Sequence, residues 1–290
     1  MSEAILPREP SRERLANPFV RYLLATRPAF LTITVAGCLL GMALAYSGGV
    51  FAAGRALVTL LLALLAHAAV NVLNDYCDHH NGSDARNIRR LYPYTGGSRF
   101  IQNGVLTPAQ VGLFSAVLFA LTIAGGLWLL AVSGVDLLWI GVAGLAIGWA
   151  YSAPPLKLNS RGLGELAVFV AFALVVLGAY VVQTGTAAGW VGLAGAPYAL
   201  LAVNILVVNQ FPDREADLAS GKLHWVARLR PEVAAWGYAL ILALAALALG
   251  SAILAGALPV WAWLSLVAWL PAVRAWRQLR RDAATPDRLR

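Results

Sequence analysis

The sequence predicts an all-α integral membrane protein, a bundle of about eight transmembrane helices in two pseudo-repeats of four. Three observations lead there. Of 290 residues, 60% are hydrophobic and only 12% charged, far more apolar than a soluble domain of this length requires. Apolar runs recur near the roughly 20 residues needed to cross about 30 Å of hydrocarbon. Helix ends rich in Asn and Asp recur four spans apart.

Residues 1–28 mix Glu3, Glu9 and Glu13 with arginines, and no small-residue cleavage site follows a short apolar region. They are expected to form a cytoplasmic N-terminal segment rather than a cleaved signal peptide. The transmembrane domain is expected over 29–276. Its first span, 29–47, turns at 48–53 into the second, 54–74, which opens into a long polar loop, 75–106. Spans three and four, 108–132 and the short 135–151, are separated by a few residues, as are spans five and six, 162–182 and 189–210. A second long loop, 211–231, precedes spans seven and eight, 232–256 and 258–276, which nearly fuse, the eighth being short. A basic tail, 277–290, closes the chain.

A net charge of +8 invites a nucleic-acid reading, which the distribution of the charge excludes. Given these spans, 21 of the 22 Lys and Arg residues fall on one side and only Arg55 on the other. The positive-inside rule makes that side cytoplasmic, with both termini on it, in a multi-pass protein of the cell (inner) membrane. The long loops lie there too, so the working surface is expected to be cytoplasmic. Cys38 and Cys77 match no metal or redox spacing and read as small buried residues.

Asn71, Asn74, Asp75 and Asp78 stand at i, i+3, i+4 and i+7, one face of a helix, and Asn209, Asp213 and Asp217 at i, i+4 and i+8 do the same. Asp84, in Asn81-Gly82-Ser83-Asp84, falls on a turn. Four crossings separate the clusters, so both face one side of the membrane and can meet. Stacked carboxylates repel one another and the negative helix end, and neither cluster has a Lys or Arg on its own face at i+4. A hard divalent cation answers this. Mg²⁺ is typically held by one or two carboxylates while phosphate oxygens complete its shell. The alternative is a solvated helix end, for which Asp and Asn are common.

Arg99, Lys157, Arg161 and Lys222 lie in the loops on the same side and suit a departing pyrophosphate. Each, taken singly, also reads as a topology marker or a lipid-headgroup contact. Gly96-Gly97 would let backbone N–H groups approach an anion. Tyr151 ends span four beside the expected site, where its ring face could stabilise a carbocation.

Together these residues resemble the UbiA superfamily of intramembrane prenyltransferases. Asn74-Asp75-Tyr76-Cys77-Asp78 with Gly82-Ser83-Asp84 is similar to its first aspartate motif, and Asn209-Gln210-Phe211-Pro212-Asp213 through Asp217 and Gly221-Lys222 to its second. Gly96-Gly97-Ser98-Arg99, Tyr151-Ser152-Ala153-Pro154-Pro155 and Arg161-Gly162-Leu163-Gly164-Glu165 resemble the branch that prenylates 1,4-dihydroxy-2-naphthoate in menaquinone synthesis. The resemblance implies a central cavity, a polyprenyl diphosphate donor, Mg²⁺ and an aromatic acceptor. It implies that Asp75, Asp78, Asp213 and Asp217, with Asn74 and Asn209, hold metal and diphosphate, and that the acceptor ring attacks an allylic cation shielded from water.

Two departures stand out. The family usually has nine spans, so the expectation is that the chain is truncated or that one wall is open or supplied by a partner. His224-Trp225 occupies positions where related sequences tend to carry a small hydroxyl residue and an aliphatic one. Other readings are a relative acting on 4-hydroxybenzoate or another quinone or lipid precursor, a scaffold subunit, or a transporter. The last usually places ionisable groups near the bilayer midplane, whereas here, Glu165 near the start of span five apart, they cluster at span ends.

Overall fold

Proline and small-residue punctuation sets where the helices begin. The computed structural model describes residues 8–285, so the outer ends of the N-terminal segment and basic tail lie outside it. A short helix, α1 (Pro18–Ala25), capped by the Asn17 side chain, leads into α2 (Pro28–Ser47), with proline at its start as the first helical turn tolerates. Next come α3 (Ala53–Asn81), a one-turn α4 (Ser83–Arg86) and α5 (Pro108–Ser133). α5 opens on a capping box in which the Thr107 hydroxyl accepts from the Gln110 N–H and the Gln110 side chain accepts from the Thr107 N–H. The shorter α6 (Asp136–Ser152) follows, then α7 (Gly164–Thr184), α8 (Gly189–Ala219), a one-turn α9 (Trp225–Arg228) and α10 (Pro231–Leu254). A 3₁₀ stretch, Val260–Ala268, passes into α11 (Trp269–Asp282).

Seven of the eight predicted spans are thus single helices, six of them long and apolar enough to cross a bilayer and α6 somewhat shorter. The last predicted span, 258–276, is divided between the 3₁₀ stretch and α11. Pro259 and Pro271 interrupt the helical ladder there. From Arg274 onward arginine recurs on α11, and Arg280 lies over the rings of Trp236 and Trp276.

The bundle is built from small residues inside and large apolar ones outside. Ala69, Ala179, Ala199, Ala235 and Ala245 are almost wholly buried, whereas Leu113, Leu121, Trp139, Leu240 and Leu247 face outward. That inversion suits a lipid solvent, in which close approach of backbones rather than exclusion of oily side chains holds helices together. At Gly41 a Cβ would run into the Val176 carbonyl, so glycine there sets how closely α2 meets α7.

The two halves pack alike. α3 lies chiefly on α5, α8 on α10, and the first spans of the halves, α2 and α7, lie against each other. α3 and α8 are the longest helices, 29 and 31 residues, and overrun their apolar stretches by about two turns at the same end of the bundle. Those overruns carry the aspartates. Between α2, α3, α5, α6, α7 and α8 lies a cavity of about 540 Å³. It runs beside α3 from Asp78 to Thr59, roughly 28 Å at 1.5 Å per residue, and its lower walls include Leu62, Ile140, Val175 and Val182.

Candidate active site

Because α3 stays helical past Leu73, Asn74, Asp75 and Asp78 keep the register their spacing implies. Asp75 is 4% exposed, and both its carboxylate oxygens accept from the Ser98 N–H at 3.2 Å. Asp78 accepts from the side-chain amides of Asn74 and Asn81, each at 3.1 Å. Asn74 also donates to the Ser152 hydroxyl at 3.0 Å, which ties the motif to the end of α6. Gly82, in the left-handed region, ends α3 and lets α4 fold back with Asp84 inside. Burial first, then the charges of Asp78 and Asp75, push the Asp84 carboxyl well above the usual carboxylate range.

On α8, Asp213 accepts from the Asn87 side-chain amide and, at 3.2 Å, from the Gly96 N–H. One loop, 82–106, therefore grips the first aspartate of each motif. Gly97 within it has φ +72°, and a Cβ there would collide with the Asp84 carboxylate. The anions that Gly96-Gly97-Ser98 approaches are the protein's own aspartates.

Lys222 joins the second aspartates of the two motifs. Its Nζ lies 2.8 Å from Asp78 Oδ2 and 3.5 Å from Asp217 Oδ1. Burial alone would lower its pKa, but Asp217 and Asp78 outweigh that and hold it well above the usual lysine value, so the ammonium is charged. His224 Nε2 stands 3.0 Å from the other oxygen of Asp217, and its Nδ1 accepts from the Ala227 N–H at 3.1 Å. With Nδ1 an acceptor, the ring is the neutral tautomer whose Nε2–H donates to Asp217.

Asn74, Asp78, Asp84, Tyr151, Asn209, Asp213, Asp217 and Lys222 all line the cavity. Four expected site residues do not. Asp75 lies behind the wall, bound to Ser98. Arg99 is turned into the loop, donating to the Asp84 carbonyl with its guanidinium 4.0 Å from Glu9. Lys157 and Arg161 are exposed, and Arg161 donates to the Pro155 carbonyl at 2.8 Å. Basic residues in a loop carry no periodicity to say which way they point, so sequence grouped them with the site. It missed Asn87, a lone loop amide whose partner is 126 positions away, and Asn159, which donates to Ser152 at 3.3 Å.

Among the described residues no three His, Cys, Asp or Glu side chains stand close enough to enclose a metal ion by themselves. The donors at the cavity mouth are carboxylate and amide oxygens. That set fits Mg²⁺ where diphosphate oxygens and water complete its shell, and does not fit a closed protein cage.

A family comparison decides the relationship: residues 34–290 match the UbiA prenyltransferase family. The chain belongs to that family. It is a prenyltransferase, and its six long apolar helices make it a multi-pass membrane protein. The chain is 30% identical over 274 residues to the 1,4-dihydroxy-2-naphthoate octaprenyltransferase of Mycobacterium leprae, covering 93% of this chain and 88% of that protein. Against the enzyme of the same name from Escherichia coli the identity is 29% over 268 residues, covering 90% and 85%. Among solved structures, a UbiA homologue from Archaeoglobus fulgidus bound to GPP and Mg²⁺ aligns with TM-score 0.62 at 16% identity, covering 91% of this chain and 84% of that one. That last likeness is one of fold.

Proposed function

We propose that this UbiA prenyltransferase transfers a polyprenyl group from a polyprenyl diphosphate to 1,4-dihydroxy-2-naphthoate, with Mg²⁺ as cofactor, at the cytoplasmic face of the cell membrane. The observation that carries the reading is the convergence of Asp78, Asp84, Asp213 and Asp217 at the polar mouth of a mainly apolar cavity about 540 Å³ in volume. The named relatives support the acceptor. Basic residues gathered on one side support both termini being cytoplasmic, with 29–276 as the transmembrane domain between an N-terminal segment, 1–28, and a basic tail, 277–290.

Asp78, Asp84, Asp213 and Asp217 would hold Mg²⁺ against the diphosphate, with Asn74 and Asn209 as neutral oxygen donors beside them. Bound there, the ion would supply charge neutralisation for the departing pyrophosphate. Lys222, already poised between the two motifs, adds a fixed positive charge where that negative charge develops. Asp75 positions the arrangement through Ser98 rather than by touching substrate. Below the mouth, mainly apolar walls keep water from an allylic cation until the acceptor ring attacks it and regains aromaticity by losing a proton, or its carboxylate as CO₂, from the attacked carbon, and the Tyr151 ring lines the same cavity. Such walls also suit the tail, since burial contributes about 0.8 kcal/mol per CH₂.

Membranes containing the protein, given a labelled polyprenyl diphosphate and a panel of hydroxylated aromatic acids, should yield prenylated product and pyrophosphate only when Mg²⁺ is present. Product in a metal-free reaction overturns the Mg²⁺ role. Transfer to another acid of the panel but not to dihydroxynaphthoate overturns the acceptor.

A further inference from the structure

The N-terminal segment lies against the loop that covers the carboxylate mouth. Leu15 and Tyr22 pack with Phe100, Val105 and Leu106 of loop 82–106, all three of which are at most 2% exposed. Arg12 donates to the Gly104 carbonyl at 2.6 Å, and the Asn103 side-chain amide donates to the Pro10 carbonyl at 3.0 Å. Apolar burial holds the segment on the loop, and the polar contacts set its register.

Glu9 stands at the head of this contact. Its Oε1 accepts from Arg90 at 2.6 Å, and its Oε2 accepts from the Asn103 amide at 3.1 Å. Arg99 Nε, buried and without a hydrogen-bond partner, is 4.0 Å from the same Oε2. Among the described residues no other carboxylate pairs with Arg90 or Arg99. Each arginine leads to an acid of the cavity. Arg90 donates to the Asn87 carbonyl at 2.7 Å, and its aliphatic stem fills the space beside Gly96. Asn87 and Gly96 are the two residues that bond Asp213. Arg99 donates to the Asp84 carbonyl and lies within electrostatic reach of the Asp84 and Asp75 carboxylates. Two guanidiniums thus stand behind carboxylates suited to a cation, and one carboxylate neutralises both.

Resting on the transferase reading above, we propose that Glu9 is a positioning residue for the diphosphate site, holding Arg90 and Arg99 back so that Asp213 and Asp84 stay open to Mg²⁺. It touches neither substrate nor metal. Without its charge, the acids left within reach of Arg99 are Asp84 and Asp75, and only Gly96 separates Arg90 from Asp213. A guanidinium on Asp84 or Asp213 occupies the oxygens a divalent ion needs. Even without such movement, the uncompensated positive charge opposes a second cation nearby. A segment ahead of the first span thereby sets the affinity of a site built on α3 and α8.

The test uses the full-length protein in lipid nanodiscs and reads Mg²⁺ affinity in two ways. One is the Mg²⁺ concentration at half-maximal transfer from a labelled polyprenyl diphosphate to 1,4-dihydroxy-2-naphthoate. The other is the midpoint at which Mg²⁺, with a non-hydrolysable prenyl diphosphate, raises the melting temperature. Glu9→Gln keeps the size of the side chain and should raise both about three- to tenfold, while kcat at saturating Mg²⁺ changes less than about twofold. Glu9→Asp should fall between, and Glu9→Gln combined with Arg90→Gln should return towards wild type. Glu215→Gln removes an equal charge from the exposed pair with Arg89 of the same loop, and should shift neither reading more than about twofold. A lower melting temperature in Glu9→Gln with both Mg²⁺ midpoints unmoved overturns the proposal, as does an equal shift in Glu215→Gln or no recovery in the double variant. Should Glu9→Gln fail to fold, the presence or absence of a shift in Glu9→Asp decides. Wild-type protein that neither transfers the prenyl group nor is stabilised by Mg²⁺ and the diphosphate overturns the transferase reading itself, and the proposal falls with it.

Discussion

The first and second aspartates of the two motifs live in different surroundings although they sit on the same helix faces. Asp75 and Asp213 are held by loop 82–106, through Ser98 in one case and through Gly96 and Asn87 in the other. Asp78 and Asp217 share Lys222. The two halves of the bundle thus repeat one arrangement, the first acid of each motif tied to loop 82–106 and the second sharing Lys222, but they differ at the cavity: Asp213 lines it and Asp75 does not. A carboxylate's place within its motif sets its partners, and the wall it stands on sets whether it meets the cavity.

The largest effect should separate these pairs. Asp217→Asn or Asp78→Asn should lower kcat on the order of a hundred- to a thousandfold, while Asp75→Asn, which acts through Ser98, should cost far less turnover and show chiefly as a lower melting temperature. Equal kinetic losses at Asp75 and Asp217 would erase the distinction. Next comes Lys222→Met, which leaves two buried carboxylates facing each other; losing one partner of a buried pair costs about 3–5 kcal/mol. Mg²⁺ with a non-hydrolysable prenyl diphosphate should raise the melting temperature of this variant more than that of the wild type, since the ion takes over the missing charge. Gly97→Ala forces a side chain into the left-handed region, worth roughly 1–2 kcal/mol, and against the Asp84 carboxylate. A higher KM for the diphosphate is expected, with KM for the acceptor unmoved. The smallest effect belongs to Arg89, whose ion pair with Glu215 spans 2.9 Å but is 42% and 64% exposed. Arg89→Ala should change stability by less than about 1 kcal/mol in a denaturation measurement.

What sequence could see of this follows from what repeats along a chain. Asn74, Asp75 and Asp78 announce a single helix face because 3.6-residue periodicity continues from the apolar span into the motif. The same holds for Asn209, Asp213 and Asp217. Apolar run length located seven spans for the same reason. It failed over 258–276, where composition reads as a span but Pro259, Pro271 and the arginines from Arg274 favour a 3₁₀ stretch and an amphipathic helix. Loop residues have no such regularity. The charge of Lys222 suits a phosphate partner, but its place between Asp78 and Asp217 depends on two helices meeting 139 positions apart. His224 stands out in sequence only as a departure from the family pattern, and His67 is set in an apolar run whose pattern carries no trace of Thr34 opposite it.

Loop 82–106 has one more consequence. By covalent order it belongs to the first half of the bundle, yet through Asn87, Gly96 and Arg89 it bonds to the second. The two halves are therefore not interchangeable modules. Were the polypeptide severed at the short turn between α7 and α8 and its fragments co-expressed, this strap would be what stitches the severed piece bearing Asp213 back to the one bearing Asp75. Fragments lacking it would keep the Lys222 bridge between Asp78 and Asp217 but leave Asp75 and Asp213 without their loop partners.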